Sequence, residues 1–412
     1  MNKSPRLVAL ETLYSIFYDG SYSNIALDKA LSDIKENKAF ISALVYGVTE
    51  RKITLDYFID KYAQGRIKPK VRIVLWLGAY QLLFMDKVPS SASINESVKL
   101  VKEIKQDYYS KLVNAVLHKI DNDRQIPDDL SVKYSVPENL INMWKKQYGE
   151  DVLNEFLPCI NDKPPLFAIP NKKFVNSDEL LYELECDGIL GEAYDEFVLI
   201  ENANDLTDSK AFKNGLFYIE DLSSFNCANA LDALGDDLVL DMCSAPGGKA
   251  FTISQSMNNS GKIYCYDLHE HRLNLIKNSA KRLSIDNIYT DVNDATVYNE
   301  NIPKADKILC DVPCSGFGII RRKPEIRYKD LDSVKDLPQI QFKILETSSR
   351  YLKDGGRIIY STCTLNKKEN ENVVNKFLKD HSGYKLLKDK TVFPSTVGGD
   401  GFYYAIMVKN EN

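Results

Sequence analysis

The chain has 412 residues, 44% of them hydrophobic and 27% charged, a length and balance that predict a soluble globular protein of two or three domains. No block of the sequence reads as a disordered tail or a low-complexity linker. The net charge of −5 does not mark a uniformly basic nucleic-acid binder, yet residues 1–120 hold 18 Lys and Arg against 12 Asp and Glu, and residues 121–221 hold 9 against 22. This unevenness is compatible with RNA met through selected surfaces and equally with ordinary solvated faces.

The N-terminal stretch has no uninterrupted apolar core, so a secretory signal is not expected. The longest apolar run, residues 71–85, contains Arg72 and is too short to span a bilayer. The expectation is a cytoplasmic protein without membrane contact, whose eight Cys are mostly reduced thiols. Four His and no Cys-x-x-Cys pair argue for no metal site.

Apolar residues recur at helical spacing through residues 1–120: Leu7, Leu10, Tyr14 and Phe17 on one face, Phe40, Leu44 and Val48 on another. Residues 71–85 are apolar nearly all round, as in the central helix of a bundle. Residues 1–122 are therefore expected to form an all-helical domain. A polar, acidic linker follows at 121–129, leading into a small α+β subdomain within 123–212 with helices near 139–148 and 177–185.

From about residue 213 the rhythm becomes alternating strand and helix to residue 412, with β-rich runs at 238–241, 262–267, 307–311 and 357–363. This predicts βαβ units and a mainly parallel sheet covered on both faces, a Rossmann-like α/β domain. The run 401–409 reads as a last strand, placed antiparallel at an edge.

The first of these strands ends in Asp241-Met242-Cys243-Ser244-Ala245-Pro246-Gly247-Gly248-Lys249 and a helix follows. A glycine-bearing turn there lets a ligand approach the backbone at a helix N-terminus. Asp267 closes the next strand, placed to accept from ribose hydroxyls. The loop is neither Gly-x-Gly-x-x-Gly nor a phosphate-binding Gly-x-x-x-x-Gly-Lys, which points away from nicotinamide, flavin and ATP and toward another nucleoside ligand. Asp294 and Asp311 also close strands and so face the same crevice; for Asp294 a turn-capping role is an equal alternative.

Cys314, in Asp311-Val312-Pro313-Cys314-Ser315-Gly316, and Cys363, in Ser361-Thr362-Cys363-Thr364, follow two strands and fall on the ligand side of the sheet. One reaction needs such a pair. Carbon 5 of cytosine attacks a methyl sulfonium only after a thiolate has added to carbon 6. One Cys can add while the other assists release, and either order fits the residues alone. Asp311 could offset charge near ring nitrogen 3, and Lys249 is a candidate to favour a thiolate. The basic run Arg321-Arg322-Lys323-Pro324-Glu325-Ile326-Arg327-Tyr328 suits phosphate contacts, with Tyr328 available for stacking.

Together, residues 241–249, 311–316, 360–363 with Glu369-Asn370-Glu371, and Asp400-Gly401-Phe402-Tyr403-Tyr404-Ala405 resemble the motifs of RNA 5-methylcytosine methyltransferases. Residues 43–48, 77–82 and 113–117 resemble a NusB-type RNA-binding domain, which is fused to the bacterial RsmB (Sun) branch acting on small-subunit ribosomal RNA. The resemblance implies S-adenosylmethionine as cofactor, no metal, small-subunit (16S) ribosomal RNA as partner, and a monomer with no obligate protein partner. It implies Cys363 as nucleophile, Cys314 in product release, Asp311 between cofactor and base, and Cys243, Ser244, Ala245, Pro246, Gly247, Gly248, Lys249, Asp267, Asp294 and Asp311 around the cofactor. Ala250 stands where the family usually has Thr, and Ser244 where it more often has Ala. Ile169-Pro170-Asn171 takes the place of Arg-Val-Asn, removing one expected contact to RNA.

Overall fold

A computed structural model describes residues 3–34, 36–202, 206–394 and 398–411. The chain divides into two compact units, one of residues 1–162 with 320–330, the other of 163–319 with 331–412. Residues 123–162 of the middle segment group with the first unit and residues 163–212 with the second.

The first unit is all-helical among its described residues. It runs α1 (Pro5–Tyr18), α2 (Ser23–Leu31), α3 (Lys38–Tyr62), α4 (Pro69–Phe84), α5 (Ser90–Glu103), α6 (Ser110–Asn122), α7 (Leu130–Tyr134), α8 (Glu138–Tyr148) and α9 (Glu150–Phe156). Ser4 caps α1 by accepting from Leu7 N, and Pro5 fixes the first turn. The core gathers the predicted apolar faces, among them Leu10, Leu44, Val48, Phe58 and Trp76. As its all-round apolarity requires, α4 is the central helix, buried at Val71, Ile73 to Ala79, Gln81 and Leu82. Trp76 satisfies its one polar atom by donating Nε1 to Asp56 Oδ1 at 2.7 Å.

The basic run is placed differently from the expectation. Arg327 is 1% exposed, and its Nη1 lies 2.9 Å from Glu50 O, 3.2 Å from Ser135 O and 2.8 Å from Asn161 Oδ1. Tyr328 donates its hydroxyl to Thr49 O at 2.7 Å. These two groups are consumed inside the helical unit, because peptide carbonyls there need donors, and neither is offered to phosphate or base.

The second unit holds two sheets. The smaller is antiparallel, ordered β2 (Gly191–Ala193), β3 (Val198–Ile200), β1 (Leu166–Pro170), β4 (Phe217–Ile219), with α10 (Ser177–Cys186) and α11 (Lys210–Lys213) beside it. A capping box between Asn176 and Glu179 starts α10. Ile169 is fully buried in β1, and Asn171 is buried with its amide donating to Gly215 O and Leu283 O. Both residues serve packing within the second unit.

After α12 (Leu222–Asn229) comes the seven-stranded sheet. Its strands are β5 (Leu238–Asp241), β6 (Lys262–Asp267), β7 (Ile288–Val292), β8 (Ala305–Asp311), β9 (Leu352–Thr362), β10 (Tyr384–Val392) and β11 (Phe402–Lys409), in the order β10-β11-β9-β8-β5-β6-β7. The helices α13 (Gly248–Ser256), α14 (Glu270–Arg282), α15 (Leu337–Ser349) and α16 (Glu371–Asp380) connect them. The five strands from β7 across to β9 pair in parallel, as alternation predicts. The last strand is antiparallel but not at the edge: β11 lies between β9 and β10, and β10 is the edge. The chain winds outward from β5 to β7, then returns to β8 on the other side. That reversal opens a crevice outside the carboxyl ends of β5 and β8.

Candidate active site

Asp241 closes β5, and the glycine loop turns from it into α13. Ser244 N donates to Tyr266 O at 2.8 Å and Gly247 N to Ser244 O at 2.9 Å, which folds the loop over the strand ends. Gly247 has φ +107°, and a Cβ there would stand 2.8 Å from the Phe251 ring, so only glycine fits. The cis peptide Ala245-Pro246 belongs to this loop.

The cleft above the loop measures about 380 Å³ and is lined by Cys243, Ser244, Ala245, Pro246, Gly248 and Lys249 from the loop and Asp311 from β8, with Glu220 and Asp241. Lys249 Nζ sits 2.7 Å from Asp311 Oδ2, while Ser361 Oγ donates to Asp311 Oδ1 at 2.8 Å. Burial alone would lower the Lys249 ammonium, but Asp311, Cys227 and Glu220 outweigh it and hold it well above its ordinary value. Lys249 therefore commits its charge to Asp311.

Asp241 Oδ1 and Ser244 Oγ are buried at this cleft without a hydrogen-bond partner of normal geometry. Each such atom costs about 1–3 kcal/mol when left unmet. A polar ligand of nucleoside size that brings donors fits that demand, and S-adenosylmethionine is one. Burial pushes the Cys243 thiol well up, so Cys243 contributes shape and not a thiolate.

Asp267 is 3% exposed and pairs with Arg272 at 3.0 Å, accepting also from His269 N. It closes β6 beside the loop, and Arg272 Nη2 donates to Ala245 O at 2.7 Å, tying the two together. Asp294 is exposed and accepts from Thr296 N and Oγ1, the geometry of a turn cap. Neither of these acids lines the cleft, and nor does Gly247, whereas the other loop residues from Cys243 to Lys249 and Asp311 do.

Cys314 and Cys363 come together. Their Sγ atoms are 3.2 Å apart and both residues are half-buried. The hydrogen bond to Cys363, with burial, pushes the Cys314 thiol well above its ordinary value. Cys314 is thus the member of the pair whose proton is held more tightly than in a free thiol.

Glu220 does not stand out in the sequence, although its place directly after β4 signals it. It is 7% exposed, accepts from Thr252 Oγ1 at 2.6 Å and lines the cleft. Burial pushes its carboxyl up to about 7 against the pull of Lys249. A proton held more tightly in the fold than in the unfolded chain stabilises the fold at low pH, and that stability is lost as pH rises from about 4.5 through about 7. Glu220→Gln is therefore expected to melt like the parent near pH 4 but higher near pH 8, by up to roughly 3 kcal/mol. Thermal melts across that range check it, and an equal shift at both ends would contradict the assignment.

A glycine loop at the switch point of a parallel sheet, with an acid across the cleft and a thiol pair in the loops after β8 and β9, has the architecture of a Rossmann-like methyltransferase. Residues 228–408 match the family described as 16S rRNA methyltransferase RsmB/F, and residues 3–122 match the NusB family. The chain is 33% identical to the probable ribosomal RNA small subunit methyltransferase B of Bacillus subtilis, over 98% of this chain and 99% of that one. The crystal structure of PH0851 superposes with a TM-score of 0.83 at 27% identity, covering 99% of this chain and all of that one. A methyltransferase homolog from Pyrococcus horikoshii gives a TM-score of 0.60 at 26% identity over 68% of this chain and 98% of its own. The chain belongs to the ribosomal RNA small subunit methyltransferase B family, S-adenosylmethionine-dependent enzymes that join a NusB-like helical domain to a Rossmann-like catalytic one. Among the described residues no cluster of potential ligands could hold a metal ion, and no helix is long and apolar enough to cross a membrane.

Proposed function

We propose that the enzyme methylates carbon 5 of a cytosine in 16S ribosomal RNA through a covalent adduct on Cys363, acting as a cytoplasmic monomer. The observation that carries this reading is the 3.2 Å approach of the two thiols beside the cofactor cleft. A methyltransferase acting on an amine or hydroxyl has no use for such a pair, whereas carbon 5 of cytosine requires a thiol addition first.

In this reading residues 243–249 hold S-adenosylmethionine, while Asp267 and Asp294, which lie outside the cleft lining at the neighbouring strand ends, turn toward it only when it is bound. When bound, the cofactor supplies an electrophilic methyl group. Cys363 Sγ bonds to carbon 6, and the ring double bond shifts its electrons toward carbon 5. The Lys249–Asp311 pair, completed by Ser361, carries the proton that offsets the negative charge built near ring nitrogen 3 during addition. Once carbon 5 is methylated, its proton leaves to solvent. The sulfur–carbon 6 bond then breaks with its electron pair returning to Cys363, restoring the ring double bond. Cys314, donating its S–H to that sulfur, stabilises the departing thiolate.

Incubating the protein with unmodified small-subunit ribosomal RNA and methyl-labelled S-adenosylmethionine is expected to yield label in 5-methylcytosine. Label at another base, or in protein, would overturn the proposal.

A further inference from the structure

Outside the reacting groups, the second unit buries one carboxylate with an unusual set of partners. Glu369 is fully buried, and each of its oxygens takes two donors. Oε1 accepts from Ser315 Oγ at 2.6 Å and Asn366 Nδ2 at 2.9 Å; Oε2 accepts from Ser315 N at 2.9 Å and Gln341 Nε2 at 3.0 Å. Four donors fill the acceptor sites of both carboxyl oxygens. No Lys or Arg pairs with it among the described residues, so hydrogen bonds alone offset its desolvation.

Those bonds converge on Cys314. Glu369 fixes the peptide after it, through Ser315 N, and Gln341 fixes the peptide before it by donating also to Pro313 O at 3.0 Å. Ser315 Oγ lies 2.7 Å from Thr364 Oγ1, the residue following Cys363, and Thr364 Oγ1 accepts in turn from Phe317 N. Gly318 N donates to Cys363 O at 3.0 Å, at a place where a Cβ would stand 1.9 Å from Gly401 O. The two cysteine loops are therefore stitched to each other, and Glu369 is the acceptor at the centre of the stitching.

We infer that Glu369 is a positioning residue for product release: by holding both peptides that flank Cys314, through Ser315 and Gln341, it keeps the Cys314 thiol aimed at Cys363. This rests on the proposed roles of the two thiols. Glu369 lines no part of the cofactor cleft and touches neither sulfur, so its loss leaves cofactor binding and the addition step in place. What it removes is the aim of the second thiol, and a misplacement of about 1 Å can cost a step about a hundredfold.

The test uses the full-length protein with unmodified small-subunit ribosomal RNA and S-adenosylmethionine. It compares the parent, Cys314→Ser, Glu369→Gln and Gln341→Met. Protein–RNA adduct is read on denaturing gels, and cofactor affinity by calorimetry. In Glu369→Gln the amide nitrogen must face two donors, so the grip fails on one side. That variant is expected to bind cofactor like the parent, form adduct at the parental rate and accumulate it at least about tenfold, as Cys314→Ser does. A general loss of structure would instead slow formation and release together. If Cys314→Ser accumulates adduct and a cofactor-binding Glu369→Gln does not, the inference about Glu369 fails alone. If neither accumulates adduct, the roles of the thiols fail and this inference with them. Should Glu369→Gln not bind cofactor, Gln341→Met decides, since it gives up the Pro313 hydrogen bond while Glu369 keeps Ser315. Adduct between the parental and Cys314→Ser levels supports the positioning role, and parental behaviour overturns it.

Discussion

Cys363→Ala is expected to lower methyl transfer to RNA by at least about a thousandfold, because carbon 5 loses the addition that makes it nucleophilic. Cofactor affinity should be unchanged, since Cys363 does not line the cofactor cleft. Cys314→Ser is expected to fail differently: it still adds through Cys363 but releases poorly, leaving RNA bound covalently to protein. This order follows from the proposed roles of the two thiols, whose Sγ atoms lie 3.2 Å apart. Their hydrogen bond and burial push the Cys314 thiol above its ordinary value, which suits Cys314 to carry the proton used in release. Denaturing gels of each variant with RNA and cofactor distinguish the two. Adduct in Cys363→Ala and none in Cys314→Ser would exchange the roles, giving the order used by DNA cytosine methyltransferases.

The parts of this site legible in the sequence are those written locally. The turn from Asp241 to Lys249 carries its glycines, its strand and its helix within a few residues. Cys314 and Cys363 each follow a recognisable apolar strand, which puts them on the same side of any parallel sheet. Their 3.2 Å approach is not readable there, because it depends on β8 and β9 being neighbours. The edge strands are harder still. In β10 five of the nine residues are exposed and one is buried, and in β7 three of five residues are exposed, so neither shows the buried pattern of a central strand. Without β10 in view, β11 falls at the edge. Glu220 and Glu369 look in the sequence like ordinary surface acids. Their burial is decided by Thr252 in one case and by Ser315 and Gln341 in the other, groups that lie 28 to 54 residues away along the chain.

Arg327 is the sequence's strongest misdirection, and it carries the largest expected effect on stability. Read as part of a basic run, it suggests RNA; in the structure it is a buried guanidinium held by the carbonyls of Glu50 and Ser135 and the side chain of Asn161. Ser135 ends α7 with φ +55°, so its carbonyl and that of Tyr134 have no helical partner and need a donor. Burial lowers the Arg327 value, yet a guanidinium keeps its proton, and the carbonyl dipoles compensate the charge. Arg327→Met fills the space but leaves those acceptors unmet, for an expected loss of roughly 3 kcal/mol. For a unit of this size that is about 6–12 °C in melting temperature. Arg327→Lys should recover part of it, having donors but not the planar fork. Salt dependence separates the two readings of this residue. Removing one cation that neutralises an RNA phosphate lowers the slope of log affinity against log salt by about 0.7–0.9. Arg327→Met, assayed below its melting temperature, should leave that slope unchanged while the melt falls. A lowered slope with an unchanged melt would return Arg327 to the RNA-binding surface.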